Sequence, residues 1–114
     1  MAMWCTIRTF GKHALELGNQ PPSEPIIFVK PDGCLLESDI IPVSSHPGEV
    51  HHEVECVVFI GEDLQPTGLA VGLDLTDRAA QSALRAEQLP WAKAKCFAAS
   101  AVVGNAAKYD GAWQ

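Results

Sequence analysis

A block of Lys and Arg is missing from this sequence. Its 8 basic residues are scattered and outnumbered by 14 acidic ones, giving a net charge of −6. Nucleic acid is therefore not an expected partner. An anionic substrate would need a cation held locally to attract it. Also missing is any C-x-x-C pair: Cys5, Cys34, Cys56 and Cys96 stand singly. That spacing argues against a disulfide framework or a zinc knuckle, and for reduced thiols in a cytoplasmic protein. No apolar run approaches the ~20 residues of a membrane-spanning helix. The start, Met1-Ala2-Met3-Trp4, lacks the basic and apolar regions of a signal peptide. There are no internal repeats and no low-complexity tract. What remains is a globular composition, 114 residues with 47% hydrophobic and 19% charged. It suits a single domain over 1–114 with one core.

The most informative stretch is Val50-His51-His52-Glu53-Val54-Glu55-Cys56-Val57-Val58-Phe59-Ile60-Gly61. It alternates, then runs apolar with β-branched residues and closes on a glycine, which is a strand pattern. Residues two apart on a strand share a face, so Glu53 and Glu55 point the same way beside Val57 and Phe59. Carboxylates placed so are costly unless neutralised. A hard divalent cation held by oxygens would do this; a polar strand end in solvent is the alternative. His51 and His52 face opposite ways, so both cannot join one site.

The other elements follow in order. Met3–Ile7 reads as a short strand. Thr9 can cap a helix through Leu17, ended by Gly18 or Asn19. On it His13 and Glu16, three apart, share a face. They form either a general base with the carboxylate that orients it or an ordinary solvent-facing pair. The prolines of Gln20–Pro25 make an extended loop. Ile26–Val29 reads as a buried strand ended by Lys30-Pro31. A short strand is expected around Ile40-Ile41, and a loop over Ser44–Gly48. Leu69–Leu75 predicts the next strand, reaching Asp74. Asp77–Glu87 predicts a helix capped by Thr76 or Asp77 and stopped by Pro90. Residues 105–114 show no pattern and are expected to be an irregular tail.

Taken together, five stretches in this order resemble the fumarylacetoacetate hydrolase family, in its acylpyruvase and fumarylpyruvate hydrolase branch. They are His13-Ala14-Leu15-Glu16-Leu17-Gly18, Glu24-Pro25-Ile26-Ile27-Phe28-Val29-Lys30-Pro31, His51-His52-Glu53-Val54-Glu55, Leu73-Asp74-Leu75-Thr76-Asp77-Arg78-Ala79-Ala80-Gln81 and Leu89-Pro90-Trp91-Ala92-Lys93-Ala94-Lys95-Cys96-Phe97. The resemblance implies a β-rich α+β fold, part of a mixed β-sandwich roll. An N-terminal lid (1–20) and one helix after the Asp74 strand belong to that fold. It implies Mg²⁺ or Mn²⁺ held by Glu53, Glu55 and Asp74, a donor set that suits those ions and disfavours zinc. His13 and Glu16 become the acid–base dyad, Lys95 the site lysine, and Gln81 a substrate contact or else an exposed helix residue. Lys93 is a solvated neighbour, and Arg78 braces the helix or pairs with a carboxylate.

The implied reaction is hydrolysis of a C–C bond in an acylpyruvate, a 2,4-dioxo acid such as fumarylpyruvate or acetylpyruvate, to pyruvate and a carboxylic acid. The same site could instead decarboxylate or tautomerise oxaloacetate, or survive as an inactive remnant that binds only metal. Relatives are commonly homodimers, which extends here by analogy. There are departures from the family pattern. Ile7-Arg8-Thr9-Phe10 matches the family's first-strand run only at Arg8, and the link from Gly61 to Leu69 is short. Members typically run about twice this length, and the Gly-Thr-Pro-Gly loop of their second half does not occur. Strands of this half would then present open edges and an uncovered apolar face, so a fragment of a longer protein is expected, with a trimmed form that recovers burial by association as the alternative. If the three carboxylates form one site, the chain binds Mn²⁺ and both Glu55→Gln and Asp74→Asn abolish binding. A titration of the three proteins side by side checks this, and undiminished binding by either variant would remove that residue from the ligand set.

Overall fold

The strands of this chain find their partners by alternation of side chains. In the computed structural model, residues 1–7, 18 and 23–111 are described. They form two compact units, Met1–Asp32 and Gly33–Gln114. Among the described residues no helix is long and apolar enough to cross a membrane. The expected helix carrying His13 and Glu16 lies outside the described residues.

The first unit is an antiparallel ribbon of β1 (Ala2–Ile7) and β2 (Ile26–Pro31), in register from Ala2 opposite Pro31 to Ile7 opposite Ile26. The expectation of a buried strand at Ile26–Val29 needs correction. Ile26, Ile27 and Val29 are all exposed, and the buried residue of β2 is Lys30, at 1%. A short apolar run cannot by itself distinguish a two-faced buried strand from a ribbon with one open face. Lys30-Pro31 ends the strand as expected, with both residues still paired to β1. Pro31 stands at the terminal position, where a missing N–H disturbs the ladder least.

The second unit is built on one long hairpin. β3 (Val50–Ile60) pairs antiparallel with β4 (Pro66–Asp77), from Val50 opposite Asp77 to Ile60 opposite Pro66, with one irregularity between Phe59 and Ile60. The turn is closed by Gly61 N–H to Gln65 O at 2.9 Å and Leu64 N–H to Gly61 O at 2.9 Å. After β4 come α1 (Arg78–Ala86) and the single turn α2 (Ala92–Lys95). β5 (Ala101–Val103) and β6 (Ala107–Lys108) both pair with β4 on the side away from β3. β4 is thus the central strand of a four-stranded sheet. With two sheets and little helix, the fold is the β-rich α+β class expected.

Two further expectations fail. Ile40-Ile41 is not a strand: Ile40 closes a bend that begins at Ser38, with 76% exposure, and Ile41 is irregular. The Ser38 hydroxyl accepts the Ile40 N–H at 3.1 Å, a local bond that replaces a ladder bond, and Pro42 follows. Residues 105–114 are not wholly irregular. Ala107 pairs with Leu69 and Lys108 with Gly68, and Tyr109 N–H bonds Thr67 O at 3.1 Å. A two-residue strand carries too few side chains to leave a periodic signal. The loop expected over Ser44–Gly48 begins with a tight 3-10 turn, Val43–Ser45.

Gly48 has a steric task in this unit. A β-carbon there would fall onto the Asp77 carboxylate, and Asp77 caps α1 by accepting the Ala80 N–H at 3.0 Å. Gly48→Ala is expected to dislodge that cap and destabilise the protein by about 1–2 kcal/mol. Urea denaturation measures this; an unchanged midpoint would show that Asp77 caps without the space Gly48 provides.

Candidate active site on the hairpin

Alternation along β3 puts His51, Glu53, Glu55 and Val57 on the more sheltered face and His52, Val54, Cys56 and Val58 on the exposed one. Register then places Asp74 of β4 directly opposite Glu53, and Gly72 opposite Glu55. Two carboxylates on cross-strand partners repel unless a cation stands between them. That cation is Lys95. The turn α2, closed by Ala94 N–H and Lys95 N–H to Trp91 O at 2.9 and 3.1 Å, directs its side chain under the sheet. Lys95 Nζ donates to Asp74 Oδ2 at 2.7 Å, to Thr76 Oγ1 at 2.8 Å and to Glu53 Oε2 at 3.0 Å. The lysine side chain is only 4% exposed and Asp74 11%. A buried ammonium persists only with such pairing.

Arg78, the first residue of α1, closes the cluster from the helix side. Its Nη2 donates to Glu53 Oε1 at 3.1 Å and its Nη1 to Gln81 Oε1 at 2.7 Å. Its Nε reaches His51 Nδ1 only at 3.5 Å. Both oxygens of Glu53 are therefore engaged by cations. Burial works to raise the Glu53 pKa, but the Lys95 charge and the hydrogen bonds from Lys95 and Arg78 outweigh it and hold the carboxyl below its usual range. Glu53 is ionised at neutral pH.

The sequence-based candidates therefore divide. Glu53, Asp74 and Lys95 are brought together, with Gln81 linked to them through Arg78. Glu55 stands one pair further along the same face, half-buried. Among the described residues no three His, Cys, Asp or Glu side chains converge as a ready metal-ligand set, because the ammonium sits between Glu53 and Asp74. The chemistry of the donors nonetheless fits a hard divalent ion: three carboxylates on one sheet face, two of them already gathered on a cation. His13 and Glu16 lie outside the described residues. Lys93 is exposed, as expected. His52 faces away from the cluster, and His51 bonds Glu49 at 2.8 Å near the surface.

Sequence reasoning missed a second contact beside this cluster. His46 Nε2 lies 2.8 Å from Asp77 Oδ2, and its ring stacks on Phe97, centroids 4.1 Å apart. The three residues come from a loop, a helix cap and the segment after α2, so no spacing along the chain could announce them. Asp77 thereby ties the helix bearing Arg78 and Gln81 to the segment just after Lys95. The amide of Ala80 above all, and then His46, hold its carboxyl below the ordinary 3.8. A lowered acid pKa contributes stability above the unfolded value that is lost as pH falls through the lower folded value. Asp77→Ala is expected to cost about 1 kcal/mol at neutral pH and to flatten the loss of stability below pH ~3.8. Denaturation midpoints over a pH series, native against variant, test this; parallel curves would show that the cap carries no pH-dependent stability.

Comparison with known proteins places the chain among relatives. Residues 2–113 match the family model described as fumarylacetoacetate (FAA) hydrolase C-terminal. A mitochondrial oxaloacetate tautomerase of Arabidopsis thaliana is 39% identical over 102 residues, covering 80% of this chain and 46% of that protein. An oxaloacetate tautomerase of Escherichia coli is 36% identical over 104 residues, covering 82% and 48%. The crystal structure of fumarylpyruvate hydrolase from Pseudomonas aeruginosa, in complex with Mn²⁺ and pyruvate, superposes with a TM-score of 0.77 at 32% identity, covering 93% of this chain and 52% of that one. The chain spans about half the length of the relatives it matches. With nearly its whole length inside the family model, it belongs to the fumarylacetoacetate hydrolase family.

Proposed function

We propose that the protein acts on a 2-oxo acid through its enolate, with oxaloacetate tautomerisation or decarboxylation as the reaction. The observation that carries this is the buried Lys95 ammonium held between Glu53 and Asp74. Mg²⁺ or Mn²⁺ would be held by Glu53, Glu55 and Asp74, and when bound it supplies Lewis-acid polarisation of the 2-oxo group. An enolate forms when a proton or carbon dioxide leaves the carbon next to that group, and negative charge then develops on the 2-oxo oxygen. A fixed ammonium in a sheltered site stabilises such charge without reorganising at the moment of reaction. Gln81, on the first turn of α1, would contact the substrate, while Arg78 braces it by donating to Gln81 and to Glu53. The similarity to two oxaloacetate tautomerases supports this reaction class.

Hydrolysis of an acylpyruvate is the second reading, favoured by the likeness to a fumarylpyruvate hydrolase bound to Mn²⁺ and pyruvate. It needs one group more, a base that takes a proton from water so that hydroxide attacks the distal carbonyl. By family resemblance that base is His13, oriented by Glu16. Both reactions leave an enolate for Lys95 to stabilise.

With Mg²⁺ present, oxaloacetate is followed by enol absorbance and pyruvate release, and acetylpyruvate by loss of the diketone. Lys95→Met is expected to lower every turnover by roughly 10²- to 10³-fold. His13→Ala is expected to abolish acetylpyruvate hydrolysis and spare decarboxylation. A folded Lys95→Met variant with native rates would remove Lys95 from the chemistry.

A further inference from the structure

The carboxylates that the proposed function gives to a divalent cation already hold a monovalent one. Lys95 Nζ has three hydrogens, and it donates to Asp74 at 2.7 Å, to Thr76 at 2.8 Å and to Glu53 at 3.0 Å. The remaining oxygen of Glu53 accepts from Arg78 at 3.1 Å. Glu53 and Asp74 are thus balanced by Lys95 and Arg78, charge for charge. Thr76, fully buried at 0% exposure, gives the ammonium a neutral third acceptor. The lysine is positioned by the carboxylates and not by solvent.

We infer that Lys95 is the resident counter-ion of the Glu53–Asp74 pair, and that a divalent cation binds there by drawing those carboxylates off the ammonium. The inference rests on the proposed function, which assigns Glu53, Glu55 and Asp74 to the divalent ion. A carboxylate oxygen that ligates Mg²⁺ or Mn²⁺ at the short distances these ions require cannot also keep a short bond to an ammonium along the same direction. Divalent and ammonium charges a few ångströms apart also repel in a site of low polarity.

Two consequences follow from the charges. In the metal-free chain Lys95 relieves the repulsion between two facing carboxylates, so the hairpin forms before any ion arrives. Once a divalent ion is bound, the cluster of Glu53, Glu55, Asp74, Lys95 and Arg78 passes from one net negative charge to one net positive. The displaced ammonium hydrogens then turn toward an incoming anion. Cation binding precedes and enables binding of a carboxylate-bearing substrate, on a surface that is otherwise acidic.

The test is Mn²⁺ affinity, read from the electron paramagnetic resonance of unbound Mn²⁺, with Tm measured alongside for the native chain and Lys95→Met. The variant is expected to melt lower than native without metal and to bind Mn²⁺ about tenfold more tightly or better. Its Tm should rise further on saturation. Equal or weaker Mn²⁺ binding by the variant overturns the inference and leaves the metal assignment standing. Absence of Mn²⁺ binding by the folded native chain overturns the metal assignment itself, and the inference with it. Since Lys95→Met can fail to fold without metal, the native chain supplies a second measurement. In protein labelled with ¹⁵N-lysine, the Lys95 ammonium resonance is expected to be protected from exchange without metal, and to shift and lose protection as Mg²⁺ is added. A resonance unchanged at saturating Mg²⁺ overturns the inference.

Discussion

A single buried ammonium organises the described site. Lys95 is 4% exposed, and its partners come from both strands of the hairpin: Glu53 from β3, Asp74 and Thr76 from β4. Removing one member of a buried ion pair leaves the other charged and unsatisfied, which costs more than the pair itself contributes. The cluster is therefore a constraint on the fold as well as a candidate for chemistry. It fixes the depth at which α2 packs, and through Arg78 on Glu53 it fixes the start of α1.

β4 carries the geometric consequences. Among the described residues it is the one strand that pairs on both sides, with β3 along one edge and with β5 and β6 along the other. Leu75 N–H bonds Ser100 O at 2.9 Å, and Gly104 N–H bonds Val71 O at 2.8 Å, so β4 is held beyond the reach of its named pairings. Gly72 lies in it because a β-carbon there would meet Val57 Cγ2 at 2.6 Å and Val102 O at 2.9 Å. That close approach keeps the sheet tight beside Asp74. Asp74 is aimed by a strand fixed from both edges, and a donor on a rigid strand is placed more closely than one on a loop.

The parts of this arrangement legible in the sequence were those with a period or a cap. Alternation from His51 to Phe59 gave the strand and its face, and Asp77 ahead of an alanine-rich run gave the helix to within a residue. Ser38 displaced an apolar pair from a strand by a local hydrogen bond, and no apolar pattern records that competition. Ile26–Val29 had the composition of a buried strand, but burial depends on what lies across each face. The Lys95 position was carried by family resemblance alone, because a lysine in a four-residue helix has no local signature of its partners. The His46–Asp77–Phe97 contact had no signal of any kind, being assembled from three distant segments.

The interior of the second unit explains why stability and function cannot be separated here. Its buried apolar residues, Cys34, Ala70, Leu75, Ala94 and Ala101, are mostly small, while Thr76, Lys95 and Ser100 are buried with them. Larger apolar residues stand outward: Val54 is 64% exposed and Val71, its near neighbour across the hairpin on the same face, 65%. Small buried side chains remove little apolar surface from water, so the polar cluster bears an unusual share of specifying this structure. An apolar substitution at Glu53 or Asp74 would strip Lys95 of an acceptor and leave a charge buried in a core too small to compensate. Register on β3 is held in the same way, since a one-residue slip would turn Glu53 outward and Val54 onto the ammonium. The charge pattern that suits the face to hold a cation is thus also what keeps the hairpin in register.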